Sequence, residues 1–382
     1  MNRIFYWCPF LNKVATVKAV INSCIGIKKY SNLNEPTILN AVGEFDEFKN
    51  EIKSENIDII NLGKKNIINI LPKLGFLKSR FSYMVIFFLT FRKLKNLLIN
   101  KKPDYLIVHL ITSLPILLFI IYNFETKLIL RISGLPKLNF LRKLLWKVAS
   151  KNIYLVTTPT VDTKKHLLVN KIFKSNQVTV IRDPILSIKK ISILRKGKIE
   201  EQYLAKKKFI VSIGRLTHQK NFDLLINNFL ALKKITPFLK LIILGEGEQR
   251  QNLFNLIKKK RLTNEIFLLG QKDNVYKYLD KCFAFLLSSR WEDPGFVLLE
   301  AIACRSVIIS SDCENGPKEI LNNGEFGYMF KNKNGYQLIQ RYKDFTLDET
   351  KKINLMKLGA LKNARKFTIF NHAKALEKIL IK

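Results

Sequence analysis

Twice along the chain, short apolar runs of strand texture alternate with helix-length patterns, and that rhythm restricts the fold to parallel sheets wrapped by helices. In the first half the runs are residues 4–8, 58–62, 105–110, 127–132 and 153–157. In the second half they are residues 209–213, 239–244, 266–269, 283–288 and 306–310, separated by helical stretches such as 222–234 and 249–260. Between the halves, after Asp183-Pro184, the pattern dissolves into a Lys-, Ile- and Ser-rich stretch to about Lys207. A length of 382 residues matches two domains of ordinary size. The expected architecture is α/β, with doubly wound Rossmann-like lobes at 1–184 and 208–360, a linker at 185–207 and a C-terminal helix at 361–382.

Composition narrows the function classes. Apolar residues at 47%, with only 16 Gly and 11 Pro, exclude a disordered or collagen-like chain. Cys8, Cys24, Cys282, Cys304 and Cys313 contain no C-x-x-C, so they supply neither a disulfide framework nor a zinc ligand set, and a reducing cytoplasm fits them. Lys and Arg number 66 against 30 Asp and Glu, a net charge of +36. Half of that excess lies in residues 1–183, which carry 29 basic and 11 acidic side chains, so no tail concentrates it. Two readings are compatible: solvated faces of a Lys/Ile/Asn-rich chain, or attraction to an anionic membrane, where each nearby cation contributes on the order of 1 kcal/mol.

Three apolar segments bear on membranes. Residues 4–11 are bulky and lack a small-residue cleavage site, so they read as a first strand and not as a signal peptide. Residues 105–124 contain no Asp, Glu, Lys or Arg over twenty positions, a length that permits a span. However, 105–110 has β-branched strand texture, and Thr112-Ser113 followed by Pro115 starts a helix, so a buried strand–loop–helix is expected. Residues 81–91, flanked by Lys78 and Arg80 and by Arg92, Lys93 and Lys95, fit either a core helix or an interfacial amphipathic one.

Ligands of open parallel sheets bind beyond the carboxyl ends of the strands. After the run 209–213 comes Gly214-Arg215-Leu216-Thr217-His218-Gln219-Lys220-Asn221, with two cations five residues apart ahead of a helix. An Arg fork and a Lys point charge suit a diphosphate whose charge grows as a bond breaks, although two solvated cations among 66 have the same spacing. A second cluster runs from Arg290 through Trp291-Glu292-Asp293-Pro294-Gly295-Phe296-Val297 to Glu300. Gly295 permits close approach to phosphates, and the amides of Phe296 and Val297 would point at them from a helix start. Glu292 and Glu300, eight apart, could each accept from ligand hydroxyls; by spacing alone they could also be a helix-start charge and a surface carboxylate. Glu300 stands in an otherwise apolar helix, where a carboxylate needs a reason.

Gly-Arg-Leu-x-x-Gln-Lys-Asn at 214–221, Gly245-Glu246-Gly247 after a strand, Glu-x7-Glu at 292–300 and the run 311–320 together resemble glycosyltransferase family 4, retaining enzymes of the GT-B fold that use nucleotide sugars. Residues 9–17 and 131–136 are similar to members that assemble bacterial polysaccharides such as lipopolysaccharide O-antigen and capsule. The resemblance implies two lobes facing across a cleft, the N-lobe for the acceptor and the C-lobe for the donor, with C-terminal helices packing back on the N-lobe. It further implies that Arg215 and Lys220 hold the donor diphosphate and stabilise the leaving group, that Glu292 contacts the transferred sugar, and that Glu300 contacts the ribose. Gly214, Gly245, Gly295, Phe296 and Val297 complete the implied donor site, with Arg215, Lys220 and Glu292 as the catalytic set. Where many members have a Gly-rich first loop, this chain has residues 9–16; Ser133-Gly134 stands where a His often lies. Candidate contacts to sugar or acceptor are then Asn12, Lys13, His109 and Ser133, although a lone His there is more often a buried core residue.

No Asp-x-Asp occurs, and His109, His166, His218 and His372 share no ligand spacing, so neither a metal nor a cofactor besides the donor is expected. Arg250 stands where a dinucleotide fingerprint needs Gly. Expected partners are a nucleotide sugar, a lipid-linked glycan acceptor and an anionic membrane surface, with no nucleic acid; the sequence sets no oligomeric state. Expected localisation is cytoplasmic, peripheral on the inner face of the plasma membrane. Competing readings are an epimerase of the same fold, a phosphorylase, or a basic membrane- or nucleic-acid-binding protein without activity.

Overall fold

A computed structural model of the chain describes residues 1–11, 15–63, 67–72, 76–201, 204 and 208–380, with the backbone alone for 76–79. Two compact units emerge, Met1–Ile185 with Ile369–Lys382, and Leu186–Thr368. The first contains β1 (Asn2–Trp7), β2 (Asn34–Asn40), β3 (Asp58–Asn61), β4 (Tyr105–Val108), β5 (Lys127–Arg131), β6 (Ile153–Thr158) and β7 (Val178–Val180). These pair in parallel in the order β3-β2-β1-β4-β5-β6-β7. The second contains β8 (Phe209–Ile213), β9 (Lys240–Leu244), β10 (Ile266–Leu268), β11 (Ala284–Leu287), β12 (Ile308–Ser311) and β13 (Tyr328–Phe330). Their order is β10-β9-β8-β11-β12-β13, again parallel throughout. The expected pair of doubly wound α/β lobes is therefore present. Residues 188–201 are tied to the second unit, where Asn274 Nδ2 donates to the Leu194 carbonyl at 2.8 Å and Lys277 pairs with Glu200 at 2.8 Å.

Three strands have no counterpart among the apolar runs. β2 carries Pro36 and ends in Asn34 and Asn40, residues that locally favour turns, but pairing with β1 on one side and β3 on the other overrides that preference. β7 and β13 have three residues each, too few for an alternation to register.

Side chains alternate across a strand, so β1 feeds two cores. Phe5 and Trp7 join Leu106, Val108, Leu128 and Leu130 on one face, covered by Ile86 and Leu94 of the helix Phe76–Lys101, Ile116 and Phe119 of the helix Ser113–Ile121, and Trp146 of the helix Phe140–Ala149. Ile4 and Tyr6 join Ile107 and Ile129 on the other, under the helices Ala15–Tyr30 and Ile369–Leu380. Residues 105–124 thus fold as a strand and a helix, as expected, while 81–91 form the middle of a helix of 26 residues. Among the described residues no helix is long and apolar enough to cross a membrane.

The C-terminal helix packs back on the first lobe, in agreement with the resemblance. Gly26 makes room: a Cβ there would lie 2.9 Å from the Ile369 side chain. A buried relay crosses the contact, with Tyr6 Oη 2.9 Å from Ser23 Oγ, Ser23 Oγ 2.7 Å from His372 Nε2, and His372 Nδ1 2.6 Å from the Arg182 carbonyl. A carbonyl only accepts, so Nδ1 carries the proton, Nε2 accepts from Ser23, and Ser23 accepts from Tyr6. Burial pushes the His372 imidazole down to about 4.

A His depressed in the folded state stabilises above its unfolded value near 6.5 and loses that contribution as pH falls toward 4. We expect the first unit to lose on the order of 3 kcal/mol between pH 7 and pH 4 through this group. Urea unfolding followed across that range should fall more steeply for the wild type than for His372→Gln. Parallel slopes would remove His372 from the acid response.

Candidate active site

In the second unit the strand order reverses between β8 and β11, and an open α/β sheet binds ligands at such a point. The segment 214–221 leaves β8 there, and 288–295 leaves β11. Backbone and side chains stitch the two together. Arg290 N–H donates to the Gln219 carbonyl at 2.8 Å, Gln219 Nε2 to the Trp291 carbonyl at 2.9 Å, and Ser288 Oγ to the Lys220 carbonyl at 2.8 Å. At the centre, Lys220 Nζ sits 2.6 Å from Glu292 Oε1. Glu292 is 4% exposed and also accepts from Ser289 Oγ, whose backbone carbonyl in turn accepts from Ser311 Oγ at 2.7 Å. The Lys220 stem lies over Gly214, where a Cβ would come within 2.8 Å of Cε. Arg215, in the same segment, is exposed.

The segment after β9 closes on the one after β8 through bare backbone. Leu216 N–H donates to the Glu246 carbonyl at 2.9 Å, and Gly245 N–H to the Gly270 carbonyl at 2.8 Å. A Cβ at Gly245 would stand 2.0 Å from the Gly214 carbonyl oxygen, so a side chain is excluded there. Gly295 holds φ 92° immediately before the helix Phe296–Ala303, whose first amides, at Phe296 and Val297, have no carbonyl one turn earlier to receive them. They share this sheet edge with Lys220 and Arg215, and a helix start favours negative charge. Glu300 lies within that helix, half-buried, and accepts from Tyr276 Oη at 2.9 Å, which supplies the reason the apolar surroundings required. Burial, and then the neighbouring carboxylate, hold the Tyr276 phenol protonated.

Residues 311–320 brace the site from behind. Glu292 N–H donates to the Glu314 carbonyl at 3.2 Å and Asn315 Nδ2 to Asp293 Oδ1 at 3.0 Å, while Gly316 approaches Pro294 so closely that a Cβ would be 1.9 Å from its carbonyl. Burial pushes the Cys313 thiol up to about 12, so it is no thiolate at neutral pH. Among the described residues no three His, Cys, Asp or Glu side chains converge as a metal site.

Gly214, Arg215, Lys220, Gly245, Glu292, Gly295, Phe296, Val297 and Glu300 thus all belong to one edge of one sheet. His109 and Ser133 lie in the first unit. His109 follows β4, where that sheet's order reverses, with its backbone N–H on the Trp7 carbonyl at 2.9 Å and its ring stacked on Tyr6 at 6.0 Å. Burial, and then Arg131, keep it neutral, and its buried Nδ1 has no partner among the described residues. Ser133 Oγ, beyond β5, is buried and equally unpartnered. Asn12 and Lys13 lie outside the described residues. Ser289 and Tyr276, which orient the two glutamates, were invisible to sequence reasoning because uncharged hydroxyls at no fixed spacing give no signal. Thr217 stood inside a recognised segment, yet only the structure reveals its buried Oγ1, without a partner among the described residues.

This edge coincides with a sequence family. The profile described as glycosyl transferases group 1 matches residues 196–363. An uncharacterized glycosyltransferase of Methanocaldococcus jannaschii is 34% identical over 292 residues, covering 72% of this chain and 68% of that one. The chain belongs to the group 1 glycosyltransferases. This glycosyltransferase is also 30% identical, over 67% of its length and 68% of the relative's, to the N-acetylgalactosamine-N,N'-diacetylbacillosaminyl-diphospho-undecaprenol 4-alpha-N-acetylgalactosaminyltransferase of Campylobacter jejuni. Its fold matches that of Anabaena HepE, solved with UDP and glucose, at a TM-score of 0.74 and 16% identity over the whole of both chains. A glycosyltransferase of Rickettsia africae matches at 0.75 and 16% identity, over 99% of this chain and 97% of that one. The fold is therefore GT-B.

The glycines separate two kinds of constraint. Gly245→Ala combines φ +140° with the 2.0 Å clash and should destabilise the second unit by about 3 kcal/mol or more. Gly295→Ala meets only side-chain atoms at 3.4 Å or beyond and should cost about 1 kcal/mol through its φ of 92°. Chemical unfolding of both variants checks the order; equal costs would mean that the close approach at Gly245 relaxes.

Proposed function

We propose that this glycosyltransferase is a retaining, metal-independent enzyme that moves a sugar from a nucleoside-diphosphate donor to a polyprenyl-linked glycan in bacterial surface-polysaccharide synthesis, on the cytoplasmic face of the membrane. The observation that carries this reading is the Lys220–Glu292 pair beside Gly295 and the helix start at Phe296, with Arg215 exposed in the same segment as Lys220. An incoming diphosphate meets Arg215 as a planar fork, the Phe296 and Val297 amides as dipoles, and Lys220 as a charge it can draw from Glu292. Glu292, relieved of that partner, has an oxygen for hydroxyls of the transferred sugar, and Glu300, held by Tyr276, stands at the same sheet edge as the carboxylate for the ribose.

In the reaction the bond from the anomeric carbon to the diphosphate breaks as the acceptor oxygen bonds to the same carbon. The electron pair stays on the diphosphate, and the acceptor proton is taken up there or by solvent. Arg215 and Lys220 stabilise the charge that accumulates, which places electrostatic catalysis on side chains instead of a metal. The absence of Asp-x-Asp from the sequence supports that division, and no cofactor beyond the donor is invoked. A lipid-linked acceptor is supported by the Campylobacter relative, whose name specifies a diphospho-undecaprenol substrate. The nucleotide seen with HepE makes UDP sugars the first donors to test.

A thermal-shift panel of UDP-, GDP- and other nucleotide sugars identifies the donor, since a bound ligand raises the apparent melting temperature by mass action. Interconversion of the donor without an acceptor would mark an epimerase instead. With the donor known, Arg215→Ala should remain folded and lose about a hundredfold in kcat, while Glu300→Gln should act mainly on donor KM. Unchanged kcat/KM in folded Arg215→Ala would sink the assignment. Turnover should also survive exhaustive chelation, and a complete loss in EDTA that a divalent metal restores would overturn the metal-independent chemistry.

A further inference from the structure

The outward face of one helical layer is of the wrong composition for water. The helices Phe76–Lys101, Ser113–Ile121 and Phe140–Ala149 cover a single face of the first sheet, the middle one touching both others. Each buries one side against the sheet, so the opposite side should be polar. Instead Phe81, Met84 and Phe88 follow each other at helical spacing and lie exposed, Phe88 to 70%. On the third helix Leu141, Leu144 and Val148 repeat that spacing, Leu141 being 73% exposed. Arg92 continues the first stripe one turn beyond Phe88, and Lys147 borders the second; both are exposed.

The charges point to what covers this surface. Phe76–Lys101 has six Lys or Arg, and residues 137–151 have five; neither stretch has an Asp or Glu. A second copy of the chain would place these like charges against one another. Single-stranded nucleic acid stacks on aromatic rings, which Met84, Leu141, Leu144 and Val148 do not provide. An anionic bilayer satisfies both components, because acyl chains take the apolar stripe and headgroup phosphates take the cations. Long Lys and Arg side chains reach the phosphate level while their stems remain apolar.

We propose that the outer face of the helices Phe76–Lys101 and Phe140–Ala149 is a bilayer-docking surface, which seats Phe81, Met84, Phe88, Leu141, Leu144 and Val148 at the acyl boundary of an anionic membrane. It rests on the reading of the enzyme as acting on a membrane-held acceptor, and it gives that attachment a location and a chemistry. Charge alone would make attachment fall away at high salt, since the screening length shrinks from about 8 Å to about 3 Å between physiological salt and 1 M. The apolar stripe adds a part that salt does not remove.

The test is flotation of the full chain with vesicles of one part phosphatidylglycerol to two of phosphatidylcholine, against phosphatidylcholine alone. The wild type should float with the anionic vesicles and only weakly with the neutral ones. Phe88→Ser with Leu144→Ser, two exposed changes that leave the core intact, should weaken binding about tenfold and abolish what survives high salt. Arg92→Glu with Lys147→Glu should weaken the salt-sensitive part. Lys258→Glu with Lys259→Glu, exposed cations of the second unit, should float as the wild type does. Failure of the wild type to float, equal losses from both charge variants, or wild-type binding by the serine pair would each overturn the proposal. So would size-exclusion elution as a dimer that the serine pair dissociates while vesicles go unbound. Nucleotide-sugar thermal shifts are read in parallel on the same proteins: their absence would remove the donor reading and leave the flotation result standing.

Discussion

The pairing of β8 with β11 is the contact on which the candidate site depends. It joins segments some 75 residues apart in sequence, and because the sheet is parallel, both strands deliver their following loops to the same edge. The meeting of Lys220 and Glu292 is a consequence. Lys220 reaches Glu292 because Gly214 leaves space for its stem, and Glu292 stays in position because Ser289 and the backbone of Glu314 hold it. The pair is nearly dry, where an ion pair persists only when its remaining oxygens and protons are engaged. Any group that drew Lys220 away would have to replace the charge that Glu292 supplies.

Much of this was legible in the sequence, and the reasons are local. Strands such as β8 and β9 are buried on both faces, so they appear as uninterrupted apolar runs bounded by Gly214 and Gly245. The cations and carboxylates stood out because each sits just past such a run or inside an apolar helix. β2 escaped because its stability comes from two neighbours far along the chain and not from its own residues. The partnerships escaped for the same reason: that Lys220 is held by Glu292, or Glu300 by Tyr276, is a fact of register between β8, β11 and the helix Tyr276–Lys281, which no spacing encodes. Residues 311–320 carried family likeness, yet their contacts are those of a brace.

The first lobe divides its two faces between different tasks. One helical layer is met by the helix Ile369–Leu380, with Gly26, Ser23 and His372 fitted closely enough to form a buried relay. The other turns apolar and basic groups outward together, a combination that costs solubility unless something covers it. His109, neutral and with a nitrogen that has no partner among the described residues, lies where the sheet order of this lobe reverses, which is the counterpart of the Lys220 and Glu292 position in the other.

The closing helix, Ile369–Leu380, also sets an order of events during synthesis. Its groove on the first lobe is made of residues translated before the second unit, whereas the helix itself follows that unit. Until then Tyr6, Ser23 and the helix Ala15–Tyr30 keep an uncovered apolar side. The first lobe is thus born incomplete, and a nascent chain truncated anywhere before residue 369 would present that open groove to chaperones and proteases. Synthesis through the helix Ile369–Leu380 is thereby coupled to the stability of the unit that contains β1.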